Sequence, residues 1–245
     1  AKELEFARSV QLSSLTQEFD LSPAVDLYAQ TVPAKEVGGD FYDTFLLDDK
    51  HLVVLMADVS GKGIPAAMFM MRARTFIKGI AQTHLPINEV LTQANARLCQ
   101  NNAAELFITA WMAFVDLTNG SVEFVNAGHN PPILKREGEF SYLQTKRNLV
   151  LAAMDGYQYK SGSFVMQPGD ELFLYTDGVT EAINIDEALY GEERLLNFMK
   201  EKNHDIGAKD LCEALMQDVN DYAGEGVEQF DDITMLSMKL LKLIY

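Results

Sequence analysis

Strand-like runs joined by short turns recur along most of the chain, and they restrict the folds it can adopt. From Val25 onward the runs read VDLYAQTV, FYDTFLL, HLVVLMA, LFITAWMAFVDL and VEFVNAG, with turns such as LDDK and TNGS between neighbours. Further runs read ILKR, FSYLQ, GSFVM, ELFLYT and, near the end, ITMLSMKLL. Neighbouring runs separated by only a few turn residues predict antiparallel hairpins.

Helical patterns interrupt these hairpins. At the start of the chain, residues 2–18 place Leu4, Ala7, Leu12 and Leu15 on one side of a helical projection. Further helices are predicted from Pro65 to about Gln82, from near Pro86, and over residues 192–200 and 208–222. Helices inserted between hairpins predict an α+β layered fold with antiparallel sheets, in contrast to alternating βαβ units.

The composition excludes several classes of protein. With 20 basic and 36 acidic residues the formal net charge is -16, which argues against a nucleic-acid partner because phosphate backbones require clustered Lys and Arg. No apolar run approaches the ~20 residues that a membrane span requires, and the N-terminus lacks a signal-peptide pattern. We therefore expect a cytoplasmic location. Cys99 and Cys212 are expected to be free thiols.

The stretch LVVLMADVSGKGIPA carries a carboxylate at the end of an apolar run and allows three interpretations. Residues 61–66, GKGIPA, match the dinucleotide fingerprint, but the next acid is Glu89 and Asp58 would lie beside a pyrophosphate. A Walker A loop would need a glycine in place of Met56 and a Ser or Thr in place of Gly63. The third interpretation, a metal site, depends on other carboxylates in comparable positions.

Such carboxylates do occur. Asp177 directly follows the run ELFLYT and precedes a glycine, as Asp58 ends its own run near Gly61. Asp231 and Asp232 directly precede the last run. The end of one antiparallel strand lies beside the start of its neighbour, so these acids could meet at one sheet edge. The alternative for each acid taken singly is ordinary turn chemistry, since Asp beside Gly is common in turns.

A fourth candidate, Asp40, follows two glycines that allow close backbone approach. A cluster of such acids needs a counter-charge, because two carboxylates ~4 Å apart repel by about 4 kcal/mol at an effective dielectric near 20. The four histidines are scattered without ligand spacing, which disfavours zinc. All-oxygen ligation favours Mg²⁺ or Mn²⁺.

Five motifs in order carry a resemblance to a known family. They are EVGGDFYD, ADVSGKGIPAAMFM, NAGHNPP, LFLYTDGVTEA and FDDITML, and they span about Leu27 to Leu240. This set resembles the metal-dependent PPM (type-2C) protein phosphatases, in particular the bacterial SpoIIE/RsbU-like serine phosphatases. The resemblance implies an α-β-β-α sandwich of two antiparallel sheets flanked by helices, with two Mn²⁺ or Mg²⁺ ions at one sheet edge.

The resemblance also implies the ligands of those ions. Asp58 would bridge both ions, and the Val59 carbonyl would bind one of them. Asp177 and Asp231 would hold the other ion, while Asp40 would act mainly through bound water. These acids would make up the catalytic centre.

Further positions match the family less directly. Asp232 is a less certain ligand, because the family often has Asn there. Eukaryotic relatives carry a His where this chain has Ser60, so the general acid is unassigned. Lys35 could replace an Arg that holds the substrate phosphate in those relatives, although an exposed strand-end lysine is the alternative. His129 and Asn130 match a motif of the branch and are interpreted as shaping a turn near the site.

The implied activity is hydrolysis of phosphoserine or phosphothreonine on a regulatory protein, for example a STAS-domain anti-anti-sigma factor in bacterial partner switching. The reaction would be in-line attack by a metal-bridging water. One alternative is a pseudophosphatase that only binds a partner, which the intact Asp58, Asp177 and Asp231 disfavour. Another is a metal-dependent hydrolase of small phosphoesters.

Two segments are expected along the chain. Residues 1–20 resemble the linker helix that, in this branch, joins an upstream sensory or regulatory module to the phosphatase. Residues 21–245 would then form the phosphatase domain. The helix could also join two copies in a homodimer, and the alternative is a passive capping helix.

Overall fold

Ten strands and six helices make up the part of the chain that the structure describes. This structure is a computed structural model that describes residues 2–202 and 206–244. The strands are β1 Val25–Val32, β2 Phe41–Leu46, β3 His51–Val59, β4 Ile108–Asp116, β5 Ser121–Ala127, β6 Ile133–Arg136, β7 Glu139–Tyr142, β8 Gly162–Val165, β9 Glu171–Tyr175 and β10 Ile233–Leu240. The helices are α1 Lys2–Ser14, α2 Ile64–Ala81, α3 Ile87–Cys99, α4 Asp177–Thr180, α5 Glu192–Glu201 and α6 Ala208–Ala223.

The strands form two five-stranded sheets in which every neighbouring pair is antiparallel. We name the sheet with the order β1-β10-β9-β6-β7 sheet A, and the sheet with the order β2-β3-β4-β5-β8 sheet B. Sheet B contains the hairpins β2–β3 and β4–β5, as the short turns predict. In sheet A the last strand, β10, lies between β1 and β9, so the two ends of the domain's chain meet in one sheet.

Helices cover the outer face of each sheet. Helices α2 and α3 pack on sheet B, while α5 and α6 pack on sheet A. The larger apolar cluster includes residues of both sheets together with α2 and α3, and a second cluster lies between sheet A and helices α5 and α6. Strand β10 is therefore buried on both faces, and its residues are buried except Lys239. The predicted α-β-β-α sandwich is confirmed.

The predicted boundaries hold to within a few residues, with two exceptions. The predicted helix over residues 2–18 ends at Ser14. After it, Thr16 bonds to strand β2 in two ways: its hydroxyl contacts the Thr44 backbone, and its carbonyl accepts a hydrogen bond from the Tyr42 hydroxyl. The chain after Ser14 therefore bonds to strand β2 and does not continue the helix. The short helix α4, directly after strand β9, was not predicted.

Two further expectations concern cysteines and the membrane. Cys99 and Cys212 are free thiols, as predicted. Among the residues that the structure describes, no helix is both long enough and apolar enough to cross a membrane.

A buried ion pair joins strand β2 to helix α2. The Asp43 side chain is fully buried, and its Oδ2 lies 3.1 Å from Nη2 of Arg74. Its Oδ1 lies 3.8 Å from Nζ of Lys78 and accepts a hydrogen bond from the Thr16 hydroxyl. Because a buried carboxylate without a partner is costly, this pair fixes the position of α2 on sheet B.

We predict that Arg74→Met lowers the free energy of unfolding by about 3 kcal/mol, because Asp43 loses its closest counter-charge while staying buried. The double variant with Asp43→Asn should regain part of this loss, since the uncompensated charge is then absent. Urea denaturation of the two single variants and the double variant measures the coupling. Equal losses in the Arg74→Met and double variants would contradict this role of the pair.

Candidate metal centre

Five acidic residues lie at the same end of the two sheets. Asp40 directly precedes β2 and Asp58 is the penultimate residue of β3, and both strands belong to sheet B. Asp177 begins α4 two residues after the end of β9, and Asp231 and Asp232 directly precede β10; both of these strands belong to sheet A. The acids therefore come together across two sheets. The prediction of a single sheet edge was wrong, because the sequence does not show which strands share a sheet.

Asp40 joins the two sheets through hydrogen bonds that the sequence did not suggest. Its Oδ2 accepts one bond from the hydroxyl of Thr176 and one from the hydroxyl of Thr234, both at 2.6 Å. Thr234 lies in β10 of sheet A, Thr176 directly follows β9 of the same sheet, and the Asp40 side chain is buried. The only available signal was their place in the motifs, one residue before Asp177 and two residues after Asp232.

Asp232 binds the loop that carries Asp40. Its Oδ1 accepts a hydrogen bond from the backbone N–H of Ala34 at 2.8 Å, and its Oδ2 accepts one from Gly39 at 2.8 Å. A Cβ at Gly38 would lie 2.2 Å from Asp232 Oδ2, so any other residue there would displace this carboxylate. Both carboxylate oxygens of Asp232 thus hold backbone, which makes it a positioning residue for Asp40.

Three of the acids, Asp40, Asp58 and Asp177, have a raised pKa. Burial raises the pKa of Asp40 well above its usual range, and the charge of Asp58 raises it further. The pKa of Asp58 rises to about 7, first through burial and then through the charge of Asp177. Burial and neighbouring acids likewise raise the pKa of Asp177 to about 6. The residues around these three carboxylates therefore supply too little positive charge to keep their pKa values in the usual range.

The donor chemistry suits a hard divalent cation. All the side-chain donors are carboxylate oxygens, the type that Mg²⁺ and Mn²⁺ prefer. A Cβ at Gly39 would lie 2.9 Å from the Val59 carbonyl oxygen, so the loop before Asp40 closely approaches that expected ligand. In the described part of the chain, no three His, Cys, Asp or Glu side chains lie close enough together to hold an ion. The individual ligand assignments stay predictions.

Two other candidate residues lie beside this cluster. The Ser60 backbone N–H donates to the Phe107 carbonyl at 2.8 Å, and the Ser60 hydroxyl accepts from the Phe107 N–H at 2.9 Å. Ser60 thus pairs with the segment before β4. Lys35 is exposed, and its Cδ lies 3.9 Å from where a Cβ at Gly63 would be. Its stem therefore runs along the glycine turn that follows Asp58.

His129 connects the sheets next to the acids. It is fully buried, and its Nε2 lies 3.0 Å from the Tyr175 carbonyl oxygen while its Nδ1 lies 2.9 Å from the Thr109 hydroxyl. A carbonyl only accepts, so Nε2 carries the proton and Nδ1 accepts the hydroxyl bond. Thr109 is the cross-strand neighbour of Asp58, and Tyr175 lies two residues before Asp177.

Comparison with known proteins identifies the family. Residues 48–241 match the family model of stage II sporulation protein E (SpoIIE). The chain belongs to the SpoIIE family. This membership confirms the resemblance to the PPM superfamily that the five motifs carry.

Two curated relatives and two solved structures place this SpoIIE-family chain more closely. The phosphoserine phosphatase RsbU of Bacillus subtilis is 34% identical over 73% of the chain and 53% of RsbU. Protein IcfG of a Synechocystis species is 28% identical over 96% of the chain and 41% of IcfG. The chain thus spans about half the length of the curated relatives it matches.

The structures show the same fold. The SiaA-PP2C domain of Pseudomonas aeruginosa superimposes with a TM-score of 0.83 at 22% identity, over 97% of this chain and 95% of that one. The catalytic domain of the serine/threonine phosphatase PstP, solved with two manganese ions, gives a TM-score of 0.65 at 11% identity, over 89% and 99% of the two chains.

We predict that His129 makes the stability of this SpoIIE-family domain depend on pH. Burial lowers the pKa of His129 to about 4, whereas an unfolded His has a pKa near 6.5. Between these values the unfolded chain takes up a proton that the folded chain refuses, so stability is present above pH 6.5 and falls as the pH drops.

The measurement compares wild type with His129→Asn. Between pH 7 and pH 5 the wild type should lose about 2 kcal/mol more than this variant. At pH 7 the variant should itself be less stable, because the bonds to Tyr175 and Thr109 are lost. His84→Asn, at an exposed position with φ +59°, is the matched control. An identical pH dependence in wild type and His129→Asn would contradict the buried neutral imidazole.

Proposed function

We propose that this domain is a Mn²⁺- or Mg²⁺-dependent phosphatase that removes phosphate from serine or threonine of a cytoplasmic regulatory protein. The observation that supports this most is the group of buried and half-buried carboxylates that lie at the ends of strands from both sheets. The pKa of Asp58 and the pKa of Asp177 are both raised, so these two carboxylates lack a sufficient counter-charge nearby. Membership of the SpoIIE family and the phosphoserine phosphatase activity named for RsbU point the same way.

Different residues of this chain would bind the ions and the water at such a site. The side chains of Asp58, Asp177 and Asp231 would hold the two ions, and the Val59 carbonyl would be a ligand of one of them. Asp40, held by Thr176 and Thr234, would act mainly through bound water. When bound, two such cations supply the positive charge that stabilises phosphoryl transfer to water.

Substrate contacts would come from the exposed rim of the cluster. Lys35 carries its ammonium on a stem beside the glycine turn after Asp58, so we assign it to the substrate phosphate. Ser60 is already paired with Phe107, and a neutral hydroxyl is a poor proton donor. Protonation of the leaving serine oxygen is therefore not assigned to Ser60.

We propose a phosphorylated STAS domain as the substrate, on the strength of the family resemblance to phosphatases of bacterial partner switching. An upstream sensory or regulatory module would be the second partner. The substrate must present its phosphoserine at the exposed end of the two sheets, because that is where the acids lie.

The expected outcome of a direct test is that wild type with Mn²⁺ releases phosphate from a phosphorylated STAS domain. Asp58→Asn and Asp177→Asn should each slow this release by at least about 100-fold, because each removes a charge that the cations need. Asp49→Asn, exposed on the hairpin at the far end of β3, is the matched control.

Three results would count against parts of this proposal. Near-normal turnover in both Asn variants would contradict the metal centre. Turnover of aryl phosphates or nucleotides with every phosphoprotein left intact would favour a hydrolase of small phosphoesters. A wild-type protein that binds the phosphoprotein and releases no phosphate would be a pseudophosphatase.

We further propose that residues 1–20 form a regulatory linker on the domain at 21–245. The predicted apolar stripe docks in part: Leu15 is buried in the core and Leu12 packs against it, whereas Ala7 is exposed. The buried residue of α1 is Gln11. Its amide nitrogen donates to the Gly38 carbonyl at 2.7 Å, and its amide oxygen accepts from the Gly38 N–H at 3.1 Å. Gly38 lies two residues before Asp40.

We predict that Gln11→Leu raises the Mn²⁺ concentration needed for half-maximal activity by about fivefold, because two hydrogen bonds to the Asp40 loop are lost. Gln82→Leu, at an exposed position after α2, is the control. Phosphate release across a Mn²⁺ titration gives the result, and sedimentation of the same samples tests the proposed homodimer. An unchanged Mn²⁺ requirement would make α1 a passive cap.

A further inference from the structure

Lys62 directs its ammonium group at the segment that carries Asp231. Its Nζ lies 3.0 Å from Oδ2 of Asp231 and donates a hydrogen bond to the Phe230 carbonyl at 2.6 Å. The same nitrogen lies 3.6 Å from the centre of the Phe230 ring. One ammonium thus makes an ion pair, a hydrogen bond and a cation–π contact to two adjacent residues.

The backbone around Lys62 favours this orientation. Lys62 lies between Gly61 and Gly63, which have φ angles of +84° and +73°. Two left-handed glycines form a tight turn after Asp58, and this turn reaches from sheet B toward the segment before β10 in sheet A. The lysine therefore crosses between the same two sheets whose acids make up the proposed centre.

The charge of Lys62 also reaches a second acid of the cluster. It lowers the pKa of Asp177, although burial and neighbouring acids outweigh it. Asp177 and Asp231 are the two side chains expected to share one cation. The ammonium is therefore positioned to supply part of the positive charge that those two carboxylates need.

We propose that Lys62 is an internal counter-cation that neutralises Asp231 before a divalent cation binds, and that leaves Asp231 when the cation arrives. This inference rests on the proposed function, because it needs Asp177 and Asp231 to hold a metal ion. An ammonium 3.0 Å from Asp231 and a divalent cation on the same carboxylate would repel each other. Lys62 thus competes with the metal and weakens its binding.

The competition has two consequences that a permanent structural ion pair would not have. Removing the charge of Lys62 should strengthen cation binding, since the metal no longer displaces an ammonium. The same change should lower the stability of the cation-free protein, since Asp177 and Asp231 then lack a counter-charge. A purely structural pair would give the second effect without the first.

The test is calorimetric titration of the cation-free protein with Mn²⁺, for wild type and Lys62→Met. We expect Lys62→Met to bind Mn²⁺ roughly fivefold to tenfold more tightly at one site, from the loss of one nearby charge that is partly screened by solvent. Its melting temperature should be lower without Mn²⁺ and should rise more than that of wild type when Mn²⁺ is added.

Three controls sharpen the test. Lys62→Arg keeps the charge and should bind Mn²⁺ as wild type does. Lys50→Met makes the same charge change at an exposed position at the far end of β3 and should leave the affinity unchanged. Lys62→Gln, which keeps a polar side chain, should repeat the tighter binding if Lys62→Met folds poorly.

The outcomes separate this inference from the proposed function. Unchanged or weaker Mn²⁺ binding in Lys62→Met and Lys62→Gln, with normal binding by wild type, would overturn the role of Lys62 and leave the metal centre standing. Absence of Mn²⁺ binding by wild type, Lys62→Met and Lys62→Gln would overturn both.

Discussion

The gathering of five buried or half-buried carboxylates at one end of a two-sheet sandwich is the constraint on which the rest of this structure depends. Such charges are unfavourable away from water unless hydrogen bonds or cations compensate them. Here three of the five acids have different compensations. Asp40 accepts two threonine hydroxyl bonds, Asp232 accepts backbone N–H groups, and Asp231 pairs with Lys62. The pKa values of Asp58 and Asp177 stay raised, because these two carboxylates lack sufficient positive charge nearby. A bound metal ion would supply that charge.

Close backbone approach makes this arrangement sterically feasible. A Cβ at Gly178 would lie 1.9 Å from the Asp232 carbonyl oxygen, and one at Gly39 would lie 2.9 Å from the Val59 carbonyl oxygen. One glycine thus brings together the two segments that flank β9 and β10 of sheet A, and the other brings together those that flank β2 and β3 of sheet B. The docking of Gln11 on Gly38 adds a third segment to the same contact. A change in the position of helix α1 would thus reach the Asp40 loop through two hydrogen bonds.

The sequence predicted the elements better than their arrangement. Alternating strands and short turns depend on neighbouring residues, so hairpins such as β2–β3 and the acid at the end of β3 could be recognised. The partition of strands into two sheets depends on distant pairing, and this is why Asp58 and Asp177 were assigned to one edge. The roles of Thr176 and Thr234 also depend on contacts between sheets. Gln11 was missed because only an apolar stripe was expected to dock the segment, whereas two amide bonds to Gly38 add to the packing of Leu12 and Leu15.

Anomalous diffraction from crystals soaked in Mn²⁺ tests the central claim most directly, because it locates the ions and the side chains in one measurement. Our account predicts anomalous peaks among Asp40, Asp58, Asp177 and Asp231, with the Lys62 ammonium no longer paired with Asp231. Absence of Mn²⁺ among these carboxylates in well-soaked crystals, with Lys62 still 3.0 Å from Asp231, would contradict it.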